Sequence, residues 1–456
     1  MASSAVLLEQ LKDSDPGLRR KAVRELVRFP EQKEVVEALC EALGDPNKGV
    51  QNITIEALSS MMHENTVHGL ISVVKSSDLN TRNAGMTILR NLGPMAIPPL
   101  VKAIEASEDV DEIIQILVIL GDIHSPLATD TVLKYIGHAD DNVKTTAVES
   151  LGKIQDPKAV DVLIETYKNS DILKYSIVEA LGNISVEKAM PILLGALDSG
   201  DILEYFTAIG AMGSMEAPAG VEHLFKKLVK EEDSGTRRLI FKSLAMIEEA
   251  NHGAVKKLDQ AAIKPILLGL LENQDAAEYR FLVRVAASLN DEAYAGALLN
   301  ALQCSESEIA DIAFEGIVNI GKKAVKPALE KIGRVEPPVA VRILQFLEKF
   351  PAPETPAAIS LFVNNPDDAL RQALARTLGA NPSDTSFASL KEMLNDVDET
   401  VRRNAVAGIA RMLSYDGALT ALINKFKDIN GHVRREACLA MAHSTSAQLI
   451  EPLFGV

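Results

Sequence analysis

A short pattern returns along the whole chain about every 31 residues, and this repetition limits the fold more than any other property. It reads Asp140-Asp-Asn-Val143-Lys144-Thr-Thr-Ala147, then Leu151-Gly152 and Ile154. It returns as Asp15 to Leu26, Asp398 to Ile409 and Asn430 to Met441. The position of Ala147 is filled in turn by Ala22, Thr54, Gly85, Ile116, Ala147, Ile177, Tyr205, Ile240, Leu282, Ala313, Ile343, Leu374, Ala405 and Ala437. Most steps are 30–32 residues, but the two around Tyr205 are 28 and 35 and the step from Ile240 to Leu282 is 42.

Each unit carries two helical patterns. The first is clear from Asp156 to Tyr167, where Asp156 suits the cap and Pro157 the first turn. The second places Val143, Ala147, Leu151 and Ile154 on one face, with Asp140 or Asp141 as its cap. Strand-like alternation is missing, so the expected class is all-α. One such pair cannot bury its apolar stripe alone, so units must stack into an α-solenoid of about fourteen pairs.

The composition agrees. Of the 456 residues 47% are apolar and only 4% aromatic, so Leu, Ile, Val and Ala must fill the core. Lys and Arg number 47 against 63 Asp and Glu, a net charge of −16, which argues against phosphate-held nucleic-acid binding over the whole surface. Three scattered cysteines, Cys40, Cys304 and Cys438, fit a reducing compartment and exclude a disulfide framework. No apolar run approaches a membrane span and the first residues lack a basic leader, so the expected location is the cytoplasm.

The Asp-x-x-Val-Arg-x-x-Ala-x-x-x-Leu-Gly signature resembles the HEAT repeat, and its short period is similar to the bacterial variety named after phycobilisome lyases. The resemblance runs from about Ala5 to Leu453. It implies a ladder of Asp and Arg between units. Its arginines here are Arg19, Arg82, Arg237, Arg371, Arg402 and Arg434; Lys144 substitutes, and Gln51, Glu112 and Ala310 break it. The signature is specific for architecture and nearly silent about function; in a stacked array of this kind the second helices usually line the concave side, a surface suited to gripping another protein.

The 42-residue step suggests three parts: repeats over 1–248, an irregular insert or bend at 249–262, and repeats over 263–456 that end in the half-unit Gln448–Val456. Charge divides similarly, with 25 basic and 38 acidic residues in 1–250 against 22 and 25 in 251–456.

No phosphate loop, dinucleotide fingerprint or nucleophile elbow occurs. Eight histidines lie scattered at loops and helix ends. A single His-Glu pair, His63-Glu64, cannot supply the several pairs of the iron-binding HEAT-repeat hydroxylase that the chain resembles in fold. No catalytic, cofactor or metal residue is therefore expected, and no cofactor.

The candidate surface is the outward side of the second helices, two residues before and two after the Ala147 column. Units four to seven place Ile114, Val118, Tyr175 and Leu203 there, among Glu149 and Glu179. Ile113–Leu120 is apolar almost all round, as a partner-facing or doubly buried helix would be. Units eight and nine place Arg238, Lys242, Arg280 and Arg284 there. The expected function is a non-catalytic scaffold or regulatory adaptor gripping another protein, for instance a basic amphipathic segment. The alternatives are a bilin lyase or chaperone-like subunit, and an accessory protein of a bacterial two-component or chemotaxis system.

Overall fold

The computed structural model describes residues 3–274 and 277–441. Among the described residues it holds fourteen pairs of α-helices and no strand, an α-solenoid. The half-unit Gln448–Val456 lies outside them. By contact the chain forms two units, Met1–Leu224 and Phe225–Val456, divided within the helix Gly220–Lys230. Residues 249–262 thus fall inside the second unit, not between units. They comprise the end of helix Ser234–Ala250, a 3₁₀ turn at Val255–Lys257 and the start of helix Gln260–Leu271. Glu248, only 3% exposed, accepts the backbone N–H of Gly253 at 2.7 Å and of Val255 at 2.9 Å and so orders this insert.

A recurrent turn starts the second helices. Asp15, Asp78, Asp109, Asp140, Asp201, Asp233, Asp367 and Asp398 each accept a first-turn N–H, satisfying donors that have no partner within the helix. The cap's own N–H goes to a side chain two residues earlier: Ser107 for Asp109, His138 Nδ1 for Asp140 and Asp396 for Asp398. His138 thus has a turn-building role. Asp156 likewise accepts from Lys158 N, but Pro157–Ala159 is a 3₁₀ turn, so the regular first helix there runs Val160–Asn169.

The caps correct one register. Asp201 caps helix Ile202–Ser214, so its counterpart of Ala147 is the fully buried Ala208, and Tyr205 is only half-buried. The steps on either side become 31 and 32 residues, and the irregularity around Tyr205 disappears.

Within each unit the second helices stack backbone against backbone. A Cβ on Gly152 would lie 2.9 Å from Ala180 Cα, one on Gly182 2.7 Å from Ala211 Cα, and one on Gly379 2.7 Å from Gly408 Cα. Hydroxyls cross the same seam: Ser150 donates to the Leu117 carbonyl at 2.8 Å and Thr377 to that of Leu344 at 2.9 Å.

The Asp–Arg ladder exists near both ends of the described chain. Arg19 reaches Asp45 of the following pair at 2.7 and 2.9 Å, Arg371 reaches Asp396 at 2.7 and 3.0 Å, and Arg402 reaches Asp428 at 3.1 Å through both nitrogens. Each guanidinium also donates to two carbonyls of its own turn, for Arg371 those of Asn365 and Pro366. Lys144 makes no rung; it pairs with Asp141 of its own helix. In helix Val110–Asp122 the Arg position is Ile113, and Glu112 takes the apolar place of Val143. There it bonds Ser107 Oγ at 2.7 Å and Lys75 at 2.9 Å.

The second helices of several neighbouring pairs end in a residue of positive φ: Gly93, His124, Gln155, Ser185, Glu216, Asn290 and Gly321. Three of these side chains then bind a carbonyl at the end of the next second helix. His124 Nδ1 meets Lys153 O at 2.6 Å, Gln155 Nε2 donates to Asn183 O at 2.9 Å, and Ser185 Oγ donates to Met215 O at 2.8 Å.

Two outcomes follow in denaturant unfolding of the intact chain. Gly182→Ala forces backbones apart and is expected to destabilise by about 1–3 kcal/mol. Gly195→Ala, at a helical site where a Cβ meets nothing within 4 Å, stabilises by roughly 0.5–1 kcal/mol. Equal effects would refute the seam.

Burial opposes the charge on Asp396, yet the Arg371 hydrogen bonds win and hold it below the usual carboxylate range. A depressed carboxylate stabilises above its unfolded value of about 3.9 and loses that contribution as pH falls through the folded value. Asp396→Ala strands the buried Arg371, so it is expected to cost roughly 3–5 kcal/mol at pH 7. The difference from wild type shrinks below about pH 4 in parallel urea titrations.

Candidate partner-binding site

The outward positions flanking the buried column are all half-buried or exposed in the fourteen second helices. Ile114 and Val118 are half-buried on helix Val110–Asp122, whose Ile113, Ile116, Leu117, Ile119 and Leu120 are in the core. Glu149, Tyr175, Glu179 and Leu203 are exposed.

These residues do not form one patch. The corrected register puts Phe206, not Leu203, in the column of Tyr175, while Leu203 is the counterpart of Ile172. Ile172, in the turn before helix Lys174–Ile184, and Tyr175 on that helix are therefore matched by Leu203 and Phe206 on helix Ile202–Ser214, whose Ile202 is 70% exposed. The Phe206 ring packs 5.7 Å from that of Tyr205. Helix Asp141–Ile154, with Thr145 and Glu149, separates this block from Ile114 and Val118. Phe206 was hidden in the sequence by the shifted register, and Ile172 and Ile202 by lying ahead of the two outward columns. The matching Ser-x-Asp-x-x-Glu runs at Ser107–Glu112 and Ser199–Glu204 carried the signal that corrects it.

Glu204 holds the block in place from below. It is 7% exposed, accepts the Tyr167 hydroxyl, and takes a 2.6 Å hydrogen bond from Ser199 Oγ. Burial, then the Glu204 carboxylate, pushes the Tyr167 hydroxyl above its ordinary range, so it stays a donor. This fixes the first turn of helix Ile202–Ser214 and turns Leu203 and Phe206 outward.

The rim is acidic. Glu149 and Glu179 share the outward column on adjacent helices, and Asp171 and Asp201 stand at the helix starts. The Glu149 carboxyl is raised above its usual value, first by desolvation and then by the charge of Glu179. Lys174 beside the block is tied to Asp171 at 2.8 Å.

The second unit holds the cationic group. Arg238 and Lys242 stand on helix Ser234–Ala250, and Arg280 and Arg284 on helix Tyr279–Leu289. The Phe281 ring lies between them, 4.5 Å from the Arg280 guanidinium and 5.8 Å from Lys242 Nζ. Arg284 approaches Glu249 at 3.4 Å and Glu308 at 3.7 Å, and Arg280 approaches Glu308 at 3.8 Å.

Among the described residues no three His, Cys, Asp or Glu side chains converge as for a metal ion, and no helix is long and apolar enough to cross a membrane. His63 caps helix Glu64–Val74, accepting from Asn65 N at 3.1 Å. A cleft of about 750 Å³ lies beside it, lined by Cys40, His68 and Thr81 among others. Burial pushes the Cys40 thiol up to about 12, which keeps it protonated at neutral pH.

The HEAT-repeat family model matches residues 4–89 and 97–182. That match identifies HEAT repeats in the first part of the chain, and the same pairing of helices continues among the described residues to residue 441. Its likeness among solved structures is to importin beta crystallised from ammonium sulfate, 13% identical with a TM-score of 0.52 over 96% of this chain and 73% of that one. Kap95p, in a structure described by its binding to RanGDP, is 13% identical with a TM-score of 0.52 over 99% and 74%. Kap95 in a complex with Nup1 is 14% identical with a TM-score of 0.51 over 99% and 74%. At these identities the likeness is one of fold. No curated protein matches the chain.

The raised Glu149 carboxyl gives a signed expectation. A group that binds protons more readily in the fold destabilises while ionised and stops doing so as pH falls through its folded value. Glu149→Gln is therefore expected to melt at a higher temperature than wild type at pH 7. The two should converge below the ordinary glutamate value of about 4.3. A variant that melts lower at pH 7 would show the opposite electrostatics.

Proposed function

We propose that the chain is a non-catalytic protein-interaction scaffold whose first unit grips a basic amphipathic segment of another protein on its second-helix face. The observation that carries this is the exposed block Ile172, Tyr175, Ile202, Leu203 and Phe206 beside Glu149 and Glu179. Contiguous exposed apolar surface with a polar rim marks interaction sites, and aromatic side chains are frequent anchors there. Apolar contacts supply affinity, while the acids orient a basic segment and speed its encounter. Residues 1–224 carry 19 basic and 33 acidic groups, a net −14 that adds long-range attraction weakened by salt. Ile114 and Val118, half-buried on helix Val110–Asp122, stand apart from the block beyond helix Asp141–Ile154. The solved structures of similar fold include proteins described with RanGDP and with Nup1, and such use of the fold supports the reading.

The probe is a synthetic helical peptide with Leu at i, i+3, i+4 and i+7 and Lys on the remaining face. Calorimetry is expected to give saturable binding, weakened at least about tenfold, or roughly 1.4 kcal/mol, by Tyr175→Glu and by Phe206→Glu. Circular dichroism and melting temperature should stay near wild type, because both side chains are exposed. A peptide of the same composition in scrambled order should bind less. Unchanged binding to both folded variants would sink the proposal.

A further inference from the structure

A basic segment cannot lie over Arg238, Lys242, Arg280 and Arg284, so this face of the second unit needs a different occupant. We propose that the second-helix face of residues 234–289 docks an acidic segment of a partner protein. The unit as a whole is nearly balanced, with 28 basic and 30 acidic residues over 225–456. Its outward second-helix columns are not: they hold seven cations and only two acids, Asp311 and Glu315. Cations have been gathered on one face of a unit that lacks an excess of them.

The local geometry shows charges without full partners. Arg238 Nη1 is buried and has no hydrogen-bond acceptor among the described residues. A buried donor left unpaired is rare in a folded protein and marks a place where an acceptor is missing. Lys242 has no carboxylate within 4.0 Å among the described residues; its neighbour is the Phe281 ring. The acids that do approach are loosely held. Glu249 and Glu308 reach the arginines only at 3.4–3.8 Å, and their side chains are 57% and 58% exposed. They can swing into water as an incoming carboxylate takes their place. Phe281 fixes the two cations beside it through its π face and supplies an apolar floor.

Spacing favours a peptide. Stacked helices lie about 8–10 Å apart, and a polyproline II segment advances about 3.1 Å per residue with three residues per turn, which puts every third side chain on one face. Acids three residues apart then meet cations on successive helices. The cluster ends at helix Ser307–Ile320, whose outward columns hold Asp311 and Glu315, and Arg376, Arg403 and Arg435 stand apart from it further along the chain.

The test uses the full chain and a fluorescein-labelled 15-residue peptide with Glu at every third position and Gly or Ser between. Anisotropy at 50 mM NaCl is expected to show saturable binding that weakens at least about tenfold at 300 mM, as exposed charges are screened. Arg238→Gln with Arg280→Gln should weaken it at least about tenfold. Lys242→Gln, which removes no protein contact to a carboxylate, should weaken it about threefold and remain folded even if the double variant does not. Phe206→Glu should leave it unchanged, which separates this site from the one in the first unit. Absence of saturable binding at 50 mM NaCl would overturn the proposal. So would unchanged affinity in Lys242→Gln, or tighter binding of a 15-nucleotide single-stranded DNA than of the peptide.

Discussion

Second helices within each unit approach until backbone touches backbone, and only the hydrogen of glycine fits at Gly152, Gly182 and Gly379, opposite the small residues Ala180, Ala211 and Gly408. The rest of the architecture depends on that separation. It sets the layer spacing, keeps the outward columns of neighbouring helices in line, and so lets residues 31 apart in sequence act as neighbours on one face. Glu149 feels Glu179 for this reason, and Tyr175 stands beside Phe206. Periodic small residues in the core thus become periodic chemistry on the surface.

The turns hold the same array from its edge. At Arg371 and Arg402 one guanidinium binds two carbonyls of its own turn and the carboxylate of the next, so each rung fixes a turn and a unit contact together. In the middle of the first unit the rungs are replaced. Glu112 and Glu204 take a core-facing position and are satisfied by Ser107 and Ser199. The two solutions differ in what they leave on the surface. The second lies beneath the exposed apolar block, with the helix start at Leu203 positioned by a buried carboxylate instead of by an inter-unit ion pair.

Much of the fold was legible because a repeat reports itself many times. Fourteen occurrences of one mostly apolar column, with Asp seven residues earlier in nine of them, identify paired helices even where single units are poor matches. The site was legible only in part. Tyr205 and Ala208 are both plausible on hydrophobicity, and only the Asp201 cap decides between them; the wrong choice moved Leu203 into the column of Tyr175 and hid Phe206. Ile114 and Val118 were visible as an excess of apolar residues, but sequence alone does not say that helix Asp141–Ile154 parts them from the aromatic block. The ring of Phe281 was invisible as a site residue, since its role depends on Lys242 and Arg280 meeting across it. The insert at 249–262 was visible as extra length, whereas the ordering role of Glu248 depends on a chain reversal that spacing does not encode.

The helix ends of positive φ have a thermodynamic consequence. Gly93 and Gly321 take a positive φ without strain, as glycine does, but His124, Gln155 and Ser185 accept a disfavoured backbone while their side chains bind the carbonyl end of the following helix. Each such residue couples its own helix end to that of its successor. Stability in a stacked array is a sum of unit terms and nearest-neighbour terms, and these bonds belong to the second kind. From His124 to Met215 the first unit is therefore wired for concerted melting, so the segment bearing the apolar block resists fraying as a group instead of opening one pair at a time.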